Sequence, residues 1–163
     1  MPRYDFRTLS IGVSPDFYHD ITALFQQTYV MNTTISSIPG LRVTLTFQPI
    51  ASSTVAHRKA RGGNAWGVPE KAQTWLCLTN TSELPSGDQV TLPLSIIFIK
   101  RVDDLAKAKG LFELDLFLND AGMDQKVIAS CGGTQVGGLV KVSKKYDPKG
   151  LFLKLANGGF KLP

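Results

Sequence analysis

The chain has 163 residues, 43% hydrophobic and 19% charged. That is enough for one domain burying about two thirds of its unfolded surface, and too apolar for a disordered segment. The net charge of +5 is spread along the chain, and its densest group, His57 to Arg61, lacks the aromatic-basic pattern of an RNA binder, so no nucleic-acid partner is expected.

Arg3 to Val13 alternates loosely and reads as a first strand. Ser14-Pro15-Asp16 is a helix start, Ser14 as N-cap and Pro15 at the first position. Phe17, Ile21, Leu24, Phe25 and Val30 then form an apolar stripe through about residue 30. Asn32 to Gly40 is a polar turn region. Leu41 to Ile50 is the clearest strand, with Val43, Leu45 and Phe47 on one face and Thr44, Thr46 and Gln48 on the other. A short helix or loop from Ser52 to Lys59 leads into Arg61-Gly62-Gly63-Asn64-Ala65-Trp66-Gly67. The paired glycines lack the spacing of a phosphate loop and read as a turn.

Gln73 to Thr81 is a third strand, in which Trp75 and Cys77 alternate with Leu76 and Leu78 and either pair suits the buried face. After a turn at Glu83 to Gly87, a long helix is expected from about Thr91 to Lys109, burying Leu94, Ile97, Phe98, Val102 and Leu105. Gly110 stands where a C-cap glycine belongs. Phe112 to Asn119 reads as a fourth strand, with Glu113, Asp115, Phe117 and Asn119 on one face and Phe112, Leu114, Leu116 and Leu118 packed against helices on the other. Two or three short helices close the chain, one of them carrying Val136, Leu139, Val140 and Val142. Residues 1–163 thus form a single α+β domain, an antiparallel β-sheet with helices packed on one face.

Cys77 and Cys131 have no metal-ligand spacing and read as buried thiols. His19 and His57 have no evident nucleophile partner and read as surface residues; no metal site is expected. The first ten residues lack the apolar core of a signal peptide, and Leu92 to Ile99 contains Pro93 and is too short to span a bilayer. A soluble, cytoplasmic protein without membrane attachment is expected, with the sequons at Asn32 and Asn80 unmodified.

Several stretches carry a resemblance. Phe117-Leu118-Asn119-Asp120-Ala121 is followed by a helical run, then by Tyr146-Asp147-Pro148-Lys149-Gly150-Leu151-Phe152 and Asn157-Gly158-Gly159-Phe160-Lys161-Leu162. With Gln48-Pro49-Ile50 and Arg61-Gly62-Gly63-Asn64, these resemble the C-terminal, substrate-domain portion of fungal FAD-linked oxidases of the berberine-bridge-enzyme and 6-hydroxynicotine-oxidase type. The resemblance implies an antiparallel sheet that in those enzymes roofs the flavin, with helices behind it. It also implies that the FAD-binding domain is absent, so no cofactor is expected. Where the family has a tyrosine facing the substrate, this chain has Phe117. A second tyrosine is replaced by Asp120, while Asn119 is kept.

The expected site is the mixed face of the sheet. Asp115, Gln48 and Asn119 are the candidate catalytic residues; Tyr4, Phe6, Thr44, Thr46, Trp75, Cys77, Glu113 and Phe117 are the candidate substrate-binding residues. Aromatic, amide, hydroxyl and carboxylate groups together suit a hydrophobic small molecule with a few oxygens. The expected activity is a cofactor-free cyclase or isomerase folding a reactive polyene or terpenoid for a Diels-Alder-type closure. Gln48 or Asn119 would donate to a substrate carbonyl, and Asp115 or Glu113, if buried and protonated, would serve as donor or acid. The alternatives are a non-catalytic or split-oxidase subunit docking on a separate FAD domain, and a remnant of the oxidase. A homodimer through the exposed sheet face is also expected.

Overall fold

In a computed structural model describing residues 3–163, β1 (Arg3–Gly12), β2 (Arg42–Ile50), β3 (Gln73–Ser82) and β4 (Phe112–Glu113) form one sheet in the order β2-β3-β1-β4. All its pairings are antiparallel. Leu9, Ile11, Leu76 and Leu78 point to one side, where they are buried under α1 (Pro15–Phe25) and α4 (Pro85–Ala108) with Phe17, Ile21, Phe98 and Val102. Val43, Leu45 and Phe47 extend this core at the β2 edge. The fold is α+β, a four-stranded antiparallel sheet with packed helices.

Helix α1 begins as its sequence directs, with Pro15 in the first turn and the Ser14 hydroxyl accepting from the Phe17 amide. It ends at Phe25, and a π-helical turn, Gln26–Val30, follows. That turn rotates Val30 into solvent, contrary to the expected stripe. Within the expected polar turn, Asn32 caps a short helix, α2 (Thr33–Ser36).

The long helix departs further from expectation. It starts at Pro85, inside the expected turn, and runs through Pro93. Its buried side holds Thr91, Ser95, Phe98, Ile99, Val102 and Ala106, while Ile97 and Leu105 are exposed. The cause is a buried charge. Arg7, on the core side of β1, donates to Ser95 Oγ at 3.0 Å, and Ser95 donates to Asp5 at 2.7 Å. Satisfying that guanidinium draws a small hydroxyl residue inward and turns Ile97 away, while Leu94 still packs against the core. Asn80 joins the network by donating to Asp5, so its sequon lies in the interior. The helix closes as expected. Gly110 has φ +68°, its amide donates to Lys107 O, and the Leu111 amide donates to Ala106 O.

The expected eight-residue fourth strand is not formed. Only Phe112 and Glu113 pair, with Ile11 and Ser10. Beyond them the chain leaves the edge of β1, and Gln125 takes its place. Its side-chain amide accepts from the Thr8 amide at 3.0 Å and donates to the Thr8 carbonyl at 2.7 Å, as a strand would. Leu114, expected against helices, is 59% exposed. The remaining helices are α3 (Ser52–Lys59), α5 (Val127–Ser130), α6 (Gly133–Tyr146) and α7 (Leu151–Leu155). No helix among the described residues is long and apolar enough to cross a membrane.

Candidate functional site

Register settles which side chains share the face away from α1 and α4. Ser10 lies opposite Trp75, and Trp75 opposite Gln48; Thr8, Cys77 and Thr46 form the next row, then Phe6, Thr79 and Thr44. Since strand residues alternate sides and Leu76 and Leu78 are core, Trp75 and Cys77 belong to this second face.

The segment leaving β4 folds over one end of that face. Phe117 lies on Trp75 with ring centroids 4.2 Å apart and planes 10° from parallel. Beneath the pair, Asp115 is buried, its Oδ2 accepting from Gln73 Nε2 at 3.0 Å, Trp75 Nε1 at 3.2 Å and Ser10 Oγ at 3.3 Å. Its other oxygen, Oδ1, is buried without a partner. Asp115 Oδ2 is an acceptor in each of these contacts, and Oδ1 is left for a ligand. Gln48 donates one N–H to Asp120 at 2.7 Å, and its second N–H has no partner among the described residues.

These groups border a cavity of about 250 Å³, lined by Trp66, Trp75, Asp115, Phe117, Asn119 and Cys131, with Arg58 at its edge. Asn119, in the 3₁₀ turn Leu118–Asp120, is exposed and makes no side-chain hydrogen bond among the described residues. Glu113, expected on the same face, is buried and ion-paired with Lys71 at 2.6 Å.

The other candidates are placed apart. Thr46 and Cys77 lie one row from Trp75. Thr44 and Phe6 lie a further row away, and Tyr4, 61% exposed, is stacked on Phe6 with centroids 5.9 Å apart. Ser10 to Phe6 is four residues, about 13 Å of strand. The aromatic pairs therefore flank opposite ends of the face. Sequence reading missed Gln73, Ser10, Trp66 and Asp120 as partners; the register Ser10–Trp75 would have pointed to the first two.

Both cysteines are free and buried. Burial raises the Cys77 thiol to about 11, with a hydrogen bond to Thr79 opposing and Asp120 adding to the rise. Burial raises Cys131 as well, and Asp115 reinforces it. Neither is poised as a nucleophile. His19 and His57 are exposed, and no metal-binding cluster exists among the described residues.

The Gly62-Gly63 turn does not fit an FAD pyrophosphate. Gly62 and Gly63 take positive φ in a turn after α3, with open space around them. That turn leads toward β3 and does not open a helix whose amides would hold a pyrophosphate.

No family model matches the chain, and no solved structure does. It is 39% identical to an FAD-dependent monooxygenase of Arthrobotrys oligospora, over 69% of this chain and 22% of that protein. It is 29% identical to the bifunctional solanapyrone synthase of Alternaria solani, over 99% of this chain and 31% of that protein. An FAD-dependent monooxygenase of Fusarium proliferatum is 32% identical over 72% of this chain and 23% of its own length. The chain thus spans between a fifth and a third of the length of these three relatives, and what it resembles is a segment of fungal FAD-dependent monooxygenases.

Proposed function

We propose that the cavity beneath Phe117 holds an apolar, oxygen-bearing precursor of a fungal natural product, and that the chain acts on it as a cofactor-independent cyclase. The observation that carries this reading is the stacked Trp75–Phe117 pair set beside the buried, unpartnered Oδ1 of Asp115. The rings offer flat apolar surface for a folded hydrocarbon, and Oδ1 of the cavity-lining Asp115, closed to solvent without a ligand, becomes the acceptor for a hydroxyl or N–H as the ligand enters. A pericyclic closure needs neither nucleophile nor redox centre. Holding a flexible polyene with its ends in contact supplies the acceleration by removing conformational entropy beforehand. The ring at 117 carries no phenol and the thiols are held neutral by burial, which suits a site that positions rather than attacks.

A second reading has its own observation, the chain's similarity to FAD-dependent monooxygenases. In it the chain is the substrate-holding part of a flavin enzyme of the berberine-bridge type, with FAD held by residues outside this chain.

One experiment separates them. The purified chain is incubated with a synthetic linear triene enone that closes slowly by itself. The cyclase reading expects faster closure and enrichment of one stereoisomer, unchanged by added FAD or by removal of oxygen, and lost in Phe117→Ala. Background rate with racemic product would overturn it. Turnover that appears only with a flavin protein, with oxygen consumed, would establish the second reading.

A further inference from the structure

Where the chain leaves β4, it opens a second depression on the opposite side of the sheet edge. Had Phe112 to Asn119 stayed paired along β1, Leu114 and Leu116 would have closed against α4. Instead a groove of about 560 Å³ remains between α4, the extended segment and α5. Its apolar surface comes from Leu9, Ile96, Ile99, Phe112 and Leu116. The buried Arg7 guanidinium borders it, and Lys100, Lys107 and Lys126 ring it, against one lining carboxylate, Asp103.

The cations are placed unequally. Lys107 is held by Asp103 at 2.5 Å and lies over the Phe112 ring at 4.7 Å, while Lys100 pairs with Asp104 at 2.6 Å. Lys126 is exposed and joins no ion pair among the described residues. An apolar groove of this volume, with Arg7, Lys100 and Lys107 already paired and Lys126 left as the unpaired lining cation, complements an apolar chain ending in an anion.

We propose that this groove binds a linear aliphatic carboxylate of the fatty-acid class, its chain along Ile96, Ile99 and Leu116 and its carboxylate at Lys126. The groove shares only Leu116 and Ser130 with the Asp115 cavity, and the proposal does not depend on the cyclase reading.

Isothermal titration of the full chain with dodecanoate, below its micelle concentration, tests it. Saturable one-to-one binding is expected. Ile96→Glu, at a position already 43% exposed and so tolerant of charge, should weaken binding at least tenfold. Lys126→Glu should weaken it several-fold, and dodecan-1-ol should bind several-fold more weakly than dodecanoate. His57→Ala, at an exposed position outside the groove lining, should leave dodecanoate binding unchanged. Absence of saturable binding to the wild-type chain, affinity indifferent to Ile96→Glu, or dodecan-1-ol binding as tightly as dodecanoate would each overturn the proposal.

Discussion

The indole of Trp75 and the ring of Phe117 lie stacked at 4.2 Å although 42 positions separate them in the chain. Trp75 sits on the inner strand β3 near one end of the sheet face, in register with Ser10 and Gln48, and Phe117 reaches it because β4 stops after two residues. The contact ends the open sheet face on one side and roofs the cavity that Asp115 borders.

Removing one ring tests the roof. Phe117→Leu keeps an apolar side chain but loses the stack, worth about 0.5–1.5 kcal/mol beyond area. The variant should fold with a midpoint within a few degrees of wild type, and bind cavity ligands up to about tenfold more weakly. Titration followed by tryptophan fluorescence measures this, because both tryptophans of the chain, Trp66 and Trp75, line the cavity.

Gln125 substitutes for a strand, so its loss should behave like loss of a strand pairing. Gln125→Ala leaves the buried Thr8 amide and carbonyl without the partners they have at 3.0 and 2.7 Å. Each orphaned group costs about 1–3 kcal/mol. Denaturant unfolding should show a loss of about 2–4 kcal/mol; a loss below about 0.5 kcal/mol would mean the edge is not held this way.

Asp124 supplies an acid-side pH dependence. Its hydrogen bond from Arg7, at 2.8 Å, holds its carboxyl below the usual value. A carboxyl depressed in the folded state stabilises above its unfolded pKa, about 3.9, and that contribution fades as pH falls through the folded value. Between about pH 5 and 3 the wild-type unfolding midpoint should fall more steeply than that of Asp124→Asn. Parallel curves would contradict this role.

The thiols give a chemical check on burial. With Cys77 raised to about 11 and Cys131 raised by burial, neither should react with Ellman's reagent at pH 8 in the folded chain. Two equivalents should react promptly once the chain is unfolded. Rapid reaction of one thiol in the native chain would show that the cavity around Cys131 opens. Sedimentation over a range of concentrations tests the expected homodimer: mass rising toward twice 17.8 kDa supports it, and a constant monomer mass refutes it.

Alternation in β1, β2 and β3 was legible because each strand pairs along its length and one face meets the helices. The side taken by Trp75 was not, since Trp75-Cys77 and Leu76-Leu78 are equally suited to a core and the choice rests on register with β1. The alternation of Phe112 to Asn119 was a false signal for pairing. It placed Asp115 and Phe117 on one side correctly, yet could not show that Gln125, from further along the chain, occupies the edge. The turn of α4 was misjudged for a related reason: Ser95 is drawn inward by Arg7, a residue 88 positions away, and apolar periodicity carries no trace of that bond.

The most direct test of the account concerns Asp115 as the ligand's hydrogen-bond acceptor. Binding of 2-decalol and 2-decalone is followed by tryptophan fluorescence in the wild-type chain and in Asp115→Asn. In the wild type the free Oδ1 accepts, so the alcohol should bind more tightly than the ketone. In the variant Gln73, Trp75 and Ser10 still demand an oxygen, which turns the new amide NH₂ toward the position of Oδ1. The preference should then reverse in favour of the ketone. The same preference in both proteins, or no saturable binding by the wild type, would contradict the assignment of this cavity as the site.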